Sequence, residues 1–279
     1  MAMLVAVIMP RITVENGPTF NVRRYCSCKF NPGLCEPRNL IFVHIPKTGG
    51  ESIEAMLHLN KSHAYGFQRI KGYKRDKIPF VFSIIRNPYD RILSWFRFCI
   101  HGFRGYLPTP HEVCLPALRL FRQVSWQMTE NDAQDAFCWR WMKLMAESTC
   151  LEGKMSCLKH PWFGPYWHYV FNPTDGRLIP DFILRFEHYA ADAAALSGCL
   201  GVTSALRHKN RSGMKRADNQ GNPLDVNEMN LNLSNSVEMN NFEFLASMAA
   251  SKIYTKPSQE WVATNYAIDF ASFGYSLEL

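Results

Sequence analysis

The chain has 279 residues, of which 47% are hydrophobic, and a formal net charge of +7 at pH 7. This length and apolar fraction suit one α/β domain of ordinary size or two smaller domains, and the charge favours either an anionic partner or a mildly basic surface. The sequence has no dense run of Lys and Arg, no zinc-finger spacing and no aromatic RNA-binding signature, so nucleic acid is not an expected partner.

The first 38 residues predict an irregular extension ahead of the main domain. Residues 3–9 form an apolar run that is too short for a membrane span and lacks the basic segment of a signal peptide, so we expect a β-strand there. Residues 10–38 are rich in Pro, Asn, Gly and Cys, which favours irregular structure. The nine cysteines are an odd number and cannot all pair within the chain. Reduced thiols are expected, with a set of disulfides in a luminal compartment or a metal site as the alternatives.

The main domain, residues 39–279, begins with two strands that each run into a helix. Residues 40–43 and 79–85 are unbroken apolar runs of the kind found in buried parallel strands. Helical patterns follow them at 52–57 and 90–98. A repeated strand–turn–helix unit predicts an α/β fold with a central parallel sheet flanked by helices.

The remaining segments complete this pattern. Residues 115–150 carry many aromatic and aliphatic side chains, which predicts helical core or, alternatively, a lid over an acceptor pocket. A third strand is expected at 180–187 and a helix at 190–200. The polar stretch 207–240 indicates a mobile surface loop, and residues 261–275 indicate a further helix. No stretch approaches 18 apolar residues, so no membrane span is expected.

A glycine-rich turn follows the first strand of the domain, where residues 44–52 read H-I-P-K-T-G-G-E-S. The start of a helix presents backbone N–H groups and the positive end of its dipole, glycines allow close approach, and a lysine adds positive charge. This predicts an anion-binding turn, with an ordinary strand–helix connection as the alternative. In a Walker A loop the lysine follows the last glycine, so this turn is a different motif. The candidate anion-binding residues are Lys47, Thr48, Gly49, Gly50, Glu51 and Ser52.

A second candidate anion site follows the next strand, where residues 86–94 read R-N-P-Y-D-R-I-L-S. Arg86 stands at the end of a buried strand, so its guanidinium can point into the crevice at the carboxyl edge of the sheet and bind a phosphate through two parallel hydrogen bonds. Ser94 lies one turn into the following helix and can face the same anion. The alternative is a helix cap at which Asp90 and Arg91 form surface ion pairs.

In this order the two blocks resemble the sulfotransferase family, in its carbohydrate- and membrane-type family 2 branch. That branch carries H-I-P-K-T-G-G-[TS]-S followed by R-N-P-Y-D-R-x-x-S, and Glu51 stands where Thr or Ser is usual. Three further segments resemble later blocks of the family, at residues 181–188, 208–212 and 266–275.

The resemblance implies a P-loop-like sheet and the transfer of a sulfuryl group from 3′-phosphoadenosine-5′-phosphosulfate (PAPS) to a hydroxyl or amine, leaving adenosine 3′,5′-bisphosphate. It implies that the Lys47 turn holds the 5′-phosphosulfate and that Lys47 stabilises charge on the leaving phosphate. Arg86 and Ser94 would hold the 3′-phosphate, and Arg211 is a further candidate for it. No metal is expected to take part.

An acceptor must also lose a proton, and His63 is the first candidate for the base. This branch often carries a His between the two blocks, and an imidazole titrates near neutral pH. Glu51 and Glu54, at the head of the first helix, are rival candidates. His44 belongs to the end of the strand and is expected to have a structural role.

The predicted third strand ends with two oppositely charged side chains, at positions 185 and 187. Arg185 and Glu187 are expected to form a buried ion pair that orders the sheet edge, with a role near the acceptor as the alternative. A phosphoryl transferase would need Mg²⁺ ligands and a lysine after the glycines, and neither is evident. A non-catalytic protein that binds anions or glycans is the other alternative. The acceptor is expected to be a carbohydrate or a small metabolite, and the location cytoplasmic, or the Golgi lumen if a membrane anchor is missing from the chain.

Overall fold

The computed structural model describes residues 19–20, 40–60, 62–74, 77–101, 129–134, 141–143, 149–150, 155–156, 163–201, 244 and 247–279. Within them the strands are β1 (Thr19–Phe20), β2 (Leu40–Val43), β3 (Phe80–Ile85), β4 (Thr149–Cys150), β5 (Met155–Ser156) and β6 (Phe182–Arg185). The helices there are α1 (Gly50–Met56), α2 (Gly66–Arg69), α3 (Pro88–His101), α4 (Glu130–Gln134), α5 (Trp167–Val170), α6 (Tyr189–Leu200), α7 (Ala250–Ile253), α8 (Lys256–Asn265) and α9 (Ala267–Phe273).

The chain divides into two compact units, and the first holds a four-stranded sheet. This unit is drawn from Met1–Pro88, Pro165–Lys209 and Asn265–Glu278. The strand order is β1-β6-β3-β2, in which β2, β3 and β6 are parallel and β1 pairs antiparallel with β6. The predicted α/β fold with a central parallel sheet flanked by helices is therefore confirmed. Two residues of the predicted irregular extension, Thr19 and Phe20, add an edge strand, because pairing through the backbone needs no apolar pattern.

Both faces of the parallel sheet are covered, which explains why its strands are apolar at all positions except Ser83 and Arg185. One face packs on α1 and α6 through a cluster that includes Phe42, Phe82 and Leu184. The other packs on the segment around α5 and on Phe273 of α9. Strands buried on both faces read as continuous apolar runs rather than as an alternation.

Two buried carboxylates hold this unit together. Asp181 precedes β6, and its Oδ2 accepts a hydrogen bond of 2.9 Å from the backbone N–H of Val81 in β3. Asp269 in α9 accepts from the backbone N–H groups of Tyr166 and Trp167 at 2.8 and 3.1 Å, at the start of α5. Both carboxylates lie in segments that resemble family blocks, and in the structure they serve the fold.

A third buried carboxylate lies directly after the parallel sheet. Asp192 in α6 is 3% exposed and accepts a hydrogen bond of 2.7 Å from the backbone N–H of Arg185. Burial raises the pKa of Asp192 above its usual range, and this effect outweighs the backbone hydrogen bond and the positive charge of the neighbouring Arg185, which lower it.

Helix α1 ends in a Schellman motif whose left-handed position is held by a histidine. His58 has φ of +52°, and the N–H of Leu59 donates to the carbonyl of Glu54 at 2.8 Å. Glycine is the usual residue at this position because a Cβ disfavours the left-handed region. His58 is exposed and therefore carries a local backbone cost without a packing role.

Three of the predicted helices are confirmed, with shifted boundaries. Those predicted at 52–57, 90–98 and 190–200 are α1, α3 and α6. The helix predicted at 261–275 is interrupted: α8 ends at Asn265, and α9 begins at Ala267.

The second unit has a helical, aromatic interior in its described part. This unit is drawn from Tyr89–Gly164, Asn210–Thr264 and Leu279. Trp95 of α3 lies 4.6 Å from Phe163 between ring centroids, and Phe96 lies 5.3 Å from Trp141. Arg91 is fully buried and donates to the carbonyl of Gly164 at 2.8 Å, so the alternative of a surface ion pair at this residue is wrong.

Several predictions fall outside the described residues. They concern the strand at 3–9, most of the aromatic segment 115–150, and the loop at 207–240. The division into an extension over 1–38 and one domain over 39–279 stays a prediction.

Candidate active site

The turn between β2 and α1 is held in an unusual backbone conformation. Lys47 has φ of +68° and Gly49 has φ of +85°, so two residues of the turn occupy the left-handed region. Glycine adopts it at no steric cost, whereas a lysine there is strained. The fully buried Thr48 between them donates its hydroxyl to the carbonyl of Ile45 at 2.8 Å, which closes the turn from within.

The first turn of α1 is fixed by contacts with α6. Ser52 is buried, and its backbone N–H donates to the carbonyl of Gly49 at 3.3 Å. The hydroxyl of Tyr189 donates to the same carbonyl at 3.3 Å. Burial raises the pKa of Tyr189 to about 12, although a hydrogen bond from Ser52 acts in the opposite direction. Glu51 is half-buried in the same turn, where the positive end of the helix dipole stabilises a carboxylate.

Arg86 reaches from the end of β3 to this turn. Its Nη1 donates to the backbone carbonyl of Lys47 at 3.4 Å. Its guanidinium also lies over the ring of Phe186, 4.2 Å from the centroid. A Cβ built on Gly49 would meet the same ring at 2.7 Å, so Phe186 packs between the turn and the arginine. The carboxyl ends of β2, β3 and β6 therefore meet at one edge of the sheet.

The expected buried ion pair between Arg185 and Glu187 is wrong. Glu187 is exposed and accepts from the backbone N–H of Asn87 at 2.5 Å and from the hydroxyl of Tyr275 at 3.1 Å. Arg185 is buried, donates to the carbonyl of Phe273 and stacks on Tyr275. The strand ends at Arg185 and a 3₁₀ turn follows, so alternation no longer places the two side chains on one face.

Tyr275 is enclosed by these same groups. Burial, together with the negative charge of Glu187, raises the pKa of the Tyr275 hydroxyl well above its usual range. The residues after α9 thereby cover the end of β6.

His63 lies beside the end of β2, against His44. Its Nδ1 donates to the backbone carbonyl of His44 at 3.1 Å, and the two rings are 4.4 Å apart between centroids. His44 is buried, and its Nδ1 lies 2.7 Å from the Oε1 of the buried Glu54. The position of His44 agrees with the structural role expected of it. It also puts Glu54, one of the rival candidates for the base, in the core.

The structure brings most of the predicted site residues together in the first unit. Lys47, Thr48, Gly49, Gly50, Glu51, Ser52, His63 and Arg86 all belong to it. Ser94 is half-buried in α3 and belongs to the second unit. Arg211 lies outside the described residues, as does the segment 208–212.

Sequence reasoning missed the residues that shape this edge from behind. Phe186 and Tyr189 contact the turn from a strand end and a helix that come more than 130 positions later. The contact between His44 and Glu54 joins a strand end to the second turn of a helix. A signal was available only for Phe186, since it belongs to a segment that resembles a family block.

The site combines a parallel α/β sheet with a glycine-rich, lysine-bearing turn and an arginine at one edge, a set of groups suited to binding an anion. Comparison with protein families identifies the class: the model of the Sulfotransferase family matches residues 34–276, so the chain belongs to this family. It is accordingly a sulfotransferase by family, and a transferase in general activity. No curated protein and no solved structure gives a significant match.

Two further observations bear on the surroundings of the site. Among the described helices, none is long and apolar enough to cross a membrane. Over the same described ranges, no three His, Cys, Asp or Glu side chains are arranged to hold a metal ion.

Proposed function

We propose that the chain transfers a sulfuryl group from PAPS to a hydroxyl, or an amine, of a carbohydrate or a small metabolite. The acceptor oxygen forms a bond to sulfur as the bond from sulfur to the bridging oxygen of the 5′-phosphate breaks. That electron pair stays on the phosphate of adenosine 3′,5′-bisphosphate, and the acceptor proton passes to a base. The step needs no oxidant and no reactant besides PAPS and the acceptor.

The contact between Arg86 and Lys47 is the observation that carries this proposal. PAPS has anionic groups at both of its ends, so its binding site must place two cationic side chains at the same edge of the sheet. The Nη1 of Arg86 lies 3.4 Å from the carbonyl of Lys47, so the two predicted anion sites adjoin. The site offers phosphate and sulfate the hydrogen-bonding groups that bind them well: an ammonium, a guanidinium and the backbone N–H groups of the first turn of α1.

Within the turn, side chains and backbone have different roles. The hydroxyls of Thr48 and Ser52 are engaged with Ile45 and Tyr189, so they shape the turn. We assign the contacts with the phosphosulfate to the ammonium of Lys47 and to backbone N–H groups at the start of α1. Charge that develops on the leaving phosphate is stabilised by Lys47, and the loss of one such group typically costs ~10²–10³ in rate.

The tautomer of His63 supports its proposed role as the base. A carbonyl oxygen can only accept, so the Nδ1 that faces the carbonyl of His44 carries the hydrogen. In the neutral ring the lone pair therefore belongs to Nε2, which can take the acceptor proton. Ser94 and Arg211 remain proposed ligands of the 3′-phosphate, and a cytoplasmic location stays a prediction.

An acceptor screen tests the proposal. Purified protein receives ³⁵S-labelled PAPS and one of three acceptors: chitotriose, chondroitin or 2-naphthol. We expect labelled product with at least one of them, a fall of at least ~10²-fold for Lys47→Ala, and no change for Lys74→Ala, which removes an exposed lysine from the same unit. Undiminished transfer by Lys47→Ala would overturn the assignment of Lys47.

Calorimetry separates the other function classes. Tight binding of adenosine 3′,5′-bisphosphate supports the proposal. A preference for ADP with Mg²⁺ would indicate a phosphoryl transferase, and the absence of nucleotide binding would indicate a non-catalytic protein.

A further inference from the structure

The buried pair of His44 and Glu54 is not explained by the transfer chemistry described so far. Glu54 is 6% exposed and His44 is 3% exposed. A buried carboxylate is costly unless it is paired and hydrogen-bonded, and here it has an imidazole at 2.7 Å. An apolar pair would fill the same space at a lower cost, so a specific role for the pair is worth seeking.

The pair fixes both the ring orientation and the tautomer of His44. An ionised carboxylate only accepts, so the Nδ1 of His44 carries the hydrogen that points at Glu54. Phe42 holds the same ring from its face, in a stacked arrangement with centroids 5.2 Å apart. The imidazole of His44 is therefore restrained by a helix on one side and by its own strand on the other.

The opposite edge of this ring contacts the start of the anion-binding helix. A Cβ built on Gly50 would lie 2.4 Å from the Cδ2 and 2.5 Å from the Nε2 of His44. The ring thus occupies the space that a side chain at position 50 would need. It sets how closely the first residue of α1 approaches β2.

The same residue positions the proposed base. His44 supplies the carbonyl that receives the Nδ1–H of His63, and its ring lies 4.4 Å from the ring of His63. Two contacts from one residue define both the place and the tautomer of His63. A carboxylate that fixes His44 therefore acts, through it, on the base.

We propose that Glu54 is a positioning residue for sulfuryl transfer, acting through His44 on His63. This inference rests on the proposed function, in which His63 takes the acceptor proton. Glu54 itself is packed against His44 in the core and takes no proton from the acceptor. Misplacement of a reacting group by about 1 Å can cost ~10²-fold in rate, which is the size of effect expected when His44 loses its restraint.

Two substitutions separate positioning from general stability. Glu54→Gln keeps an oxygen that can accept from the Nδ1 of His44, and Glu54→Leu removes the acceptor at a similar volume. With whichever acceptor of the screen gives the highest turnover, we expect kcat to fall by ~10²-fold in Glu54→Leu and to be largely restored in Glu54→Gln. The affinity for adenosine 3′,5′-bisphosphate should be unchanged in both variants.

A second readout needs no turnover. In ¹⁵N spectra of the imidazoles we expect the Nδ1–H tautomer for both His44 and His63 in the wild-type protein, and a changed tautomer balance for His63 in Glu54→Leu. Wild-type kcat in Glu54→Leu, or a parallel loss of nucleotide binding, would overturn the inference. If Glu54→Leu does not fold, the spectrum of the wild-type protein still tests the inference, because an Nε2–H tautomer of His63 there would overturn it. Failure of the wild-type protein to transfer sulfate or to bind the bisphosphate would instead overturn the proposed function.

Discussion

The guanidinium of Arg86 donates a hydrogen bond to the backbone carbonyl of Lys47 at 3.4 Å, although 39 positions separate the two residues in the chain. The contact joins the ends of two neighbouring parallel strands, β2 and β3. The end of β6 joins the same arrangement, because the ring of Phe186 packs against both the guanidinium of Arg86 and Gly49. A substitution of Arg86 should therefore disturb the turn at Lys47, and a change in that turn should in the same way displace the guanidinium of Arg86.

Replacing Arg86 should weaken recognition of one end of the donor. We expect Arg86→Ala to lower the affinity for adenosine 3′,5′-bisphosphate by ~10–100-fold, the value of a hydrogen bond to a charged group, and to leave the affinity for adenosine 5′-monophosphate almost unchanged. Arg86→Lys keeps the charge but not the planar fork, so its affinity should be intermediate. Calorimetry with both nucleotides measures the difference. An equal loss for the two ligands would mean that Arg86 supports the turn and does not bind the 3′-phosphate.

The backbone conformation of Lys47 should lower the stability of the folded protein, whereas its side chain is needed for transfer. Its φ of +68° disfavours any residue with a Cβ, so Lys47→Gly should unfold at a higher urea concentration than Lys47→Ala, by about 1 kcal/mol in the free energy of unfolding. Both variants should lose transfer. His58→Gly is the matched control, because His58 also has a positive φ but lies exposed at the end of α1. It should gain similar stability and keep full activity. If Lys47→Gly gains nothing over Lys47→Ala, the turn is not strained.

Gly50 should tolerate no side chain. The Cβ of Gly50→Ala would lie within 2.5 Å of the His44 ring, so overpacking should cost about 1–3 kcal/mol of the free energy of unfolding. Gly198→Ala is the control, because nothing lies within 4 Å of a Cβ at that position in α6. Removal of a helical glycine there should add about 0.5–1 kcal/mol. Urea unfolding of the two variants should therefore move in opposite directions, and a neutral Gly50→Ala would contradict the packing described for His44.

The stability contributed by Asp192 should depend on pH in a defined direction. Burial raises the pKa of Asp192 in the folded protein above its ordinary value of 3.8, so the folded state binds more protons than the unfolded state as the pH rises past that value. The contribution is thus present below the unfolded pKa and is lost as the pH rises through the folded one. Asp192→Asn keeps an oxygen for the N–H of Arg185 and carries no charge. Its stability relative to the wild-type protein should increase from pH 3.5 to pH 7 in urea titrations. A constant difference across this range would show that the carboxyl is not perturbed.

The sheet and the meeting of Arg86 with Lys47 could be predicted because they follow from local patterns. Apolar runs gave the strands, and parallel strands bring their carboxyl ends to one edge. The pairing of His44 with Glu54 could not be predicted, since it depends on the angle at which α1 crosses β2. The role of Glu187 was missed because the chain leaves the strand at Arg185, and no sequence pattern marked that change of period.

The end of β6 is completed by distant residues, and this has a consequence during synthesis. Arg185 is tied to Phe273, 88 positions further on, and the start of α5 is held by Asp269, over 100 positions from Tyr166. A nascent chain that has already exposed all three parallel strands outside the ribosome still lacks the segment that covers the edge. Until residues near 275 emerge, the apolar face that Phe273 will cover stays open to solvent or to chaperones.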